Sequence, residues 1–173
     1  MATTFTQIGT AVTVGSGGAT DITFSAIPAT YTDLMVKLSL RDASTLTRSV
    51  AKLTFNGSSS GYSSRAVFGY NGTSTLSDVG GSTYIDWTYT TGNGATSSTF
   101  ANNEIYIPNY AGSQNKSVSI DFTAENNSSS LNILGLAAGL WSNSAAITSI
   151  TLTPSTPNFL QYSTAYLYGV SNA

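Results

Sequence analysis

Hydrophobic and polar residues alternate along much of the chain. Over residues 33–41, Leu34, Val36, Leu38 and Leu40 take every second position. Lys37, Ser39 and Arg41 take the other face, with Met35 as the exception. Successive side chains of a strand point to opposite sides, so this spacing predicts a half-buried strand. Residues 116–124 repeat it, with Val118, Ile120 and Phe122 facing in and Ser117, Ser119, Asp121 and Thr123 facing out. Residues 84–90 alternate Ile85, Trp87 and Tyr89 with Asp86 and Thr88. Shorter apolar runs predict further strands at 10–14, 21–24, 51–55, 65–70, 104–107, 132–140, 149–153 and 165–170.

Turn chemistry separates these runs. Gly15-Ser16-Gly17-Gly18 reads as a hairpin loop. Asn56-Gly57, Asn71-Gly72, Gly80-Gly81 and Gly92-Asn93-Gly94 supply residues that tolerate positive φ. Pro108-Asn109 ends the strand before it. No window carries the three-to-four residue apolar spacing and caps of a long helix, and only a short turn over 143–146 is expected. The pattern predicts an all-β, antiparallel two-sheet sandwich, jelly-roll-like, with little or no helix and sheets of four or five strands. No linker or long repeat interrupts it, so residues 1–173 read as one domain, with residues 1–10 as an extended N-terminal arm.

Composition narrows the function. Of 173 residues only 14 are charged, six basic and eight acidic. That balance does not supply the clustered cations of a nucleic-acid binder. No apolar stretch is long enough to span a membrane as a helix. The N-terminal Met-Ala-Thr-Thr-Phe lacks a leader pattern, so no signal peptide is expected. Cysteine and histidine are both absent. Their absence removes disulfides, thiol nucleophiles, the Ser-His-Asp triad and the common zinc ligands.

The remaining chemistry lies in carboxylates, basic residues and tyrosines. Asp86, Glu104, Asp121 and Glu125 are the candidates for a glycosidase pair, with Glu104 the best single one. Asp86 and Asp121 read as solvated strand-face residues instead. Neither Asn102-Asn103-Glu104 nor residues 121–126 match a calcium loop, so no metal, cofactor or catalytic residue is assigned. Lys37, Arg41, Arg48, Lys52 and Arg65 hold five of the six positive charges and are the candidate partner interface. Exposed tyrosines, together with Trp87 and asparagines, are the candidate lining of a saccharide site. The sequons at Asn56, Asn71, Asn115, Asn126 and Asn127 read as products of a Ser/Thr/Asn-rich composition.

Several short blocks recur in an order that resembles a known group. They are residues 27–34 (Ile-Pro-Ala-Thr-Tyr-Thr-Asp-Leu), Phe55-Asn56-Gly57 with Gly61-Tyr62-Ser63, and residues 105–110 (Ile-Tyr-Ile-Pro-Asn-Tyr). Gly139-Leu140-Trp141, residues 145–152 and the ending Tyr168-Gly169-Val170 complete the set. Together they resemble small virion structural proteins of tailed bacteriophages, frequent in cyanobacterial and marine phages. The resemblance implies a jelly-roll-like module serving as a head decoration or cement protein, or as a tail-fibre module. It implies no enzyme activity. The expected partners are the major capsid protein and copies of itself as a homotrimer, without nucleic acid or membrane. The expected place is the outer surface of the capsid, after assembly in the host cytoplasm. The alternative is a tail-fibre or receptor-binding module that recognises a host surface saccharide or protein.

Overall fold

The computed structural model describes residues 4–70, 73–127, 132–155 and 157–171. Thirteen strands are present there and no helix: β1 (Phe5–Gln7), β2 (Val12–Thr13), β3 (Ile22–Phe24), β4 (Asp33–Leu40), β5 (Arg48–Phe55), β6 (Tyr62–Tyr70), β7 (Thr73–Ser82), β8 (Ile85–Thr91), β9 (Ala101–Ile107), β10 (Lys116–Ala124), β11 (Ile133–Trp141), β12 (Ile150–Pro154) and β13 (Thr164–Val170). Each of the eleven alternating or apolar runs forms a strand. Two further strands, β1 and β7, lie where no strand is predicted. The expected Asn71-Gly72 turn lies outside the described residues.

The strands make two antiparallel sheets. The larger runs β1-β13-β4-β9-β10-β11-β6-β7, with β2 also on β13, and the smaller runs β3-β12-β5-β8. The partition is therefore nine and four rather than two sheets of similar size. Counted along the chain, a jelly roll places its first, eighth, third and sixth strands in one sheet. Its second, seventh, fourth and fifth make the other. Here β3, β12, β5 and β8 fill the first set, and β4, β9, β6 and β7 fill the second. The β10–β11 hairpin is inserted between β9 and β6, and β13 with β1 and β2 extends the far side. The insertions widen one sheet only, which accounts for the asymmetry.

The core lies between the sheets. Leu34, Val36, Leu38 and Leu40 of β4 and Val118, Ile120 and Phe122 of β10 are buried, as the alternation predicts. Across from them lie Ile22, Phe24, Ala51, Leu53, Phe55, Ile85, Trp87, Ile150 and Leu152 of the small sheet. Trp87 stacks on Phe122 at 6.1 Å between centroids and Tyr89 on Phe122 at 4.9 Å. Such pairs add to burial because ring edges and faces carry opposite partial charge.

The sheets also share polar ties. Asn103 of β9 is buried, and its amide accepts the Tyr89 N–H and donates to the Tyr89 carbonyl, both at 2.9 Å. It imitates a neighbouring strand along the edge of β8. Asn56, at φ 52°, donates to Ala146 O and accepts from the backbone N–H groups of Thr148 and Ser149. The side chain thus binds the β5–β6 turn to the segment that enters β12.

Residues 15–18 do not close a hairpin. They carry the chain from β2 in the large sheet to β3 in the small one, with a Gly18 N–H to Gly15 O turn. The short turn expected over 143–146 is closed by a side chain, with Asn143 Oδ1 accepting the Ala145 N–H. Part of the supposed N-terminal arm is sheet, since Phe5 pairs with Val170 and Gln7 with Tyr168.

Candidate functional site

The five basic residues do not form one surface. Lys37 lies on the outer face of β4 and pairs with Glu104 at 2.7 Å. Arg65 lies on the outer face of β6 and pairs with Asp78. β9, β10 and β11 separate those two strands, a span of about 19 Å at sheet spacing. Arg48 and Lys52 belong to the small sheet. The Arg48 guanidinium sits 3.9 Å from the Tyr70 ring centroid and Lys52 Nζ 5.1 Å from that of Tyr84. Arg41 is not on the surface at all, being only 6% exposed. Its position outside the alternating core face reads as solvent from sequence, but the 95–99 segment folds over it.

The carboxylates form no enclosed pair. Glu104 stands directly opposite Asp121 on the open outer face of the large sheet, where its partner is Lys37. A flat, solvated face offers nothing to hold a sugar between an acid and a base. Asp86 departs from its expected solvated position. It is half-buried, and one carboxylate oxygen has no hydrogen-bond partner. Burial raises its carboxyl above the usual range, and Lys52 offsets part of that rise. Among the described residues no three acidic side chains converge to hold a metal ion.

Most aromatic candidates are structural. Tyr110 is buried, with its hydroxyl on Pro28 O. Trp87 is core, and its indole N–H donates to Ser64 Oγ at 2.8 Å. Tyr166 and Tyr168 lie half-buried on β13. Tyr162 differs, with 66% of its surface exposed.

Two surface features stand out among the described residues. The first is apolar. On the outer face of the large sheet, Leu136 of β11 stands opposite Val67 of β6, which stands opposite Leu76 of β7. Leu134 lies two residues along β11 on the same face. Exposures are 65% for Leu134, 59% for Leu136, 48% for Val67 and 77% for Leu76. Opposed cross-strand side chains are in contact range, so these four make one continuous patch.

The second is a cleft of about 660 Å³ at one end of the sandwich. Four connections build it: residues 16–18, the end of β4 at Arg41, residues 93–100, and residues 158–162. Arg41 organises the floor. Its guanidinium donates to Thr96 O and Thr99 O at 2.9 Å, and to Ala95 O at 3.3 Å. Burial lowers its pKa, with the neighbouring Asp42 charge acting in the opposite sense. The 158–162 wall is fixed too. Leu160 N–H donates to Arg41 O, Tyr162 N–H to Val14 O, and the Ser163 hydroxyl joins both the N–H and C=O of Arg41. Two non-glycine residues on these walls have left-handed backbones, Ser98 at φ 60° and Tyr162 at φ 71°. No carboxylate is among the described residues that line the cleft. No single stretch of sequence signals this site, because its walls come from four separated loops.

Compared with protein-family models, curated proteins and solved structures, the chain matches none. Among the described residues no helix is long and apolar enough to cross a membrane.

Proposed function

We propose that this protein is a non-enzymatic virion structural protein. In this reading it decorates the outer surface of a phage head and cements neighbouring capsid subunits. The observation that carries the reading is the patch of Val67, Leu76, Leu134 and Leu136. Four large aliphatic side chains, each about half to three-quarters exposed, adjoin one another on the outer face of β11, β6 and β7. Contiguous apolar surface on a small β protein marks a contact with another protein. Its partners are the major capsid protein and further copies of the chain, as a homotrimer.

Magnitudes favour a repeated partner over a single one. Burying what these four side chains expose contributes roughly 4–8 kcal/mol. Association costs about 4–15 kcal/mol in lost motion. One patch on one partner is therefore close to break-even. A trimer on a lattice repeats the contact by symmetry and turns weak contacts into stable attachment.

The test is imaging of particles assembled with the protein, followed by heat challenge. Density repeated over the shell, and particles that leak genome at lower temperature without the protein, are expected. Density confined to the tail would replace this reading with a receptor-binding one. Leu136→Glu and Leu76→Glu should leave the fold intact and abolish attachment. Attachment unchanged in both would remove the sheet face from the interface.

A further inference from the structure

We infer that the loop-end cleft is a binding site for a neutral, hydroxyl-rich saccharide. The inference goes beyond shell attachment and shares no residue with the apolar patch. It rests on four properties of the walls. An aromatic ring is presented to solvent at Tyr162, exposed by 66% on a backbone that L residues rarely adopt. Leaving a large ring in water on a strained backbone is unfavourable twice over, and such outliers persist where the surroundings hold them for a role. Here the surroundings do hold it, through the backbone bonds of Leu160, Tyr162 and Ser163 to Arg41 and Val14. The backbone that carries the ring is therefore held in place, which fixes where the side chain leaves the wall.

The second property is the polar complement. Asn93, Asn158 and Gln161 line the same cleft. A side-chain amide offers a donor and an acceptor side by side, which matches a pair of adjacent sugar hydroxyls. The third is size, since about 660 Å³ suits a ligand of two to three sugar rings by the usual range of small-molecule sites. The fourth is charge. The guanidinium of Arg41 is occupied by the backbone carbonyls of the 95–99 segment, and no carboxylate among the described residues faces the cleft. Nothing there cleaves a glycosidic bond, so the ligand is held rather than turned over. The apolar face of a sugar ring would stack on Tyr162 while its equatorial hydroxyls meet the amides, the division of labour that makes tyrosine useful at half-wet surfaces.

The test uses the full chain in affinity electrophoresis through gels containing dextran, mannan, galactan or polygalacturonate. Retardation is expected in at least one of the three neutral gels. Tyr162→Gly keeps the backbone conformation at no steric cost and removes only the ring. It should weaken that retardation at least tenfold while the melting temperature stays equal or rises. Asn93→Ala, in the 93–100 wall, should weaken it as well. Migration unaffected by every gel would overturn the inference. So would retardation that survives Tyr162→Gly. Retardation by polygalacturonate alone, lost at high salt, would also overturn it and assign the cleft to an anion held by Arg41. Particle attachment by these two variants should match the wild type, which separates this site from the sheet face.

Discussion

Replacing Asn103 by Leu removes two hydrogen bonds and fills nearly the same space. The two bonds, each 2.9 Å, tie β9 to the Tyr89 peptide groups on the outer edge of β8. β8 is the last strand of the small sheet, so no further strand lies beyond it to take over. Each buried backbone group left unpaired costs about 1–3 kcal/mol. The added apolar burial of Leu returns about 1–2 kcal/mol. At the midpoints of these ranges the net loss is about 2.5 kcal/mol, or about 5–10 °C in melting temperature for a chain of this size. Asn103→Asp tests the same geometry by a second route. Its carboxylate still accepts the Tyr89 N–H but turns an oxygen toward the Tyr89 carbonyl. Burial and that repulsion raise the folded-state pKa above the unfolded value. A carboxyl shifted upward is best tolerated below its unfolded pKa, and stability falls as pH rises through the folded pKa. The Asp variant should therefore approach the wild type near pH 4 and lose ground toward pH 7, because the protonated acid again donates to the carbonyl. Urea unfolding read by the fluorescence of the buried Trp87 and Trp141 measures both. A Leu variant within about 0.5 kcal/mol of wild type, or an Asp deficit that does not change with pH, would refute the reasoning.

Three further outcomes are expected. A methyl group at Gly139 would sit 2.7 Å from Ile85 Cδ1, so Gly139→Ala should cost about 1–3 kcal/mol; Ile85→Val should relieve part of it in the double variant, and simple additivity in unfolding experiments would count against the clash. Asp86→Asn should raise the melting temperature at neutral pH, and the gain should vanish near pH 3, because burial penalises the ionised carboxyl only where it is ionised; an equal gain at both pH values would point to another cause. Arg41→Lys replaces a fork that reaches Ala95, Thr96 and Thr99 by a single ammonium, so it should cost about 1–3 kcal/mol and speed amide exchange over 92–100, while unchanged exchange there would show that the guanidinium does not hold the loop.

The alternation of Leu34, Val36, Leu38 and Leu40, and of Val118, Ile120 and Phe122, was enough to place β4 and β10 and to orient them. A strand with one dry face writes that face into every second residue. β7 was illegible for the same reason in reverse. Its residues lie at the edge of the large sheet, most of them exposed on both faces, and Gly81 breaks the run. With no face fully buried there is no period to read. β1 is a strand because the free edge of β13 accepts it, a fact about β13 rather than about Phe5–Gln7.

The functional surfaces were decided by tertiary structure. Arg41 follows the polar parity of its strand, yet a loop more than fifty residues away closes over it and turns it into the floor of a cleft. Tyr162 becomes distinctive only once Val14 and Arg41 fix its backbone. β11 shows the reason most directly. Both of its faces are apolar in sequence, with Ile133, Ala137 and Trp141 on one and Leu134 and Leu136 on the other. The structure points the two leucines outward and turns Gly135 and Gly139 in, because Phe122, Phe68 and Ile85 already fill the space where a Cβ would stand. Sequence therefore determined that this is a β-sandwich and where most of its strands run. Which apolar face stays in water depends on volume supplied by strands far away in the chain, and only their packing could settle it.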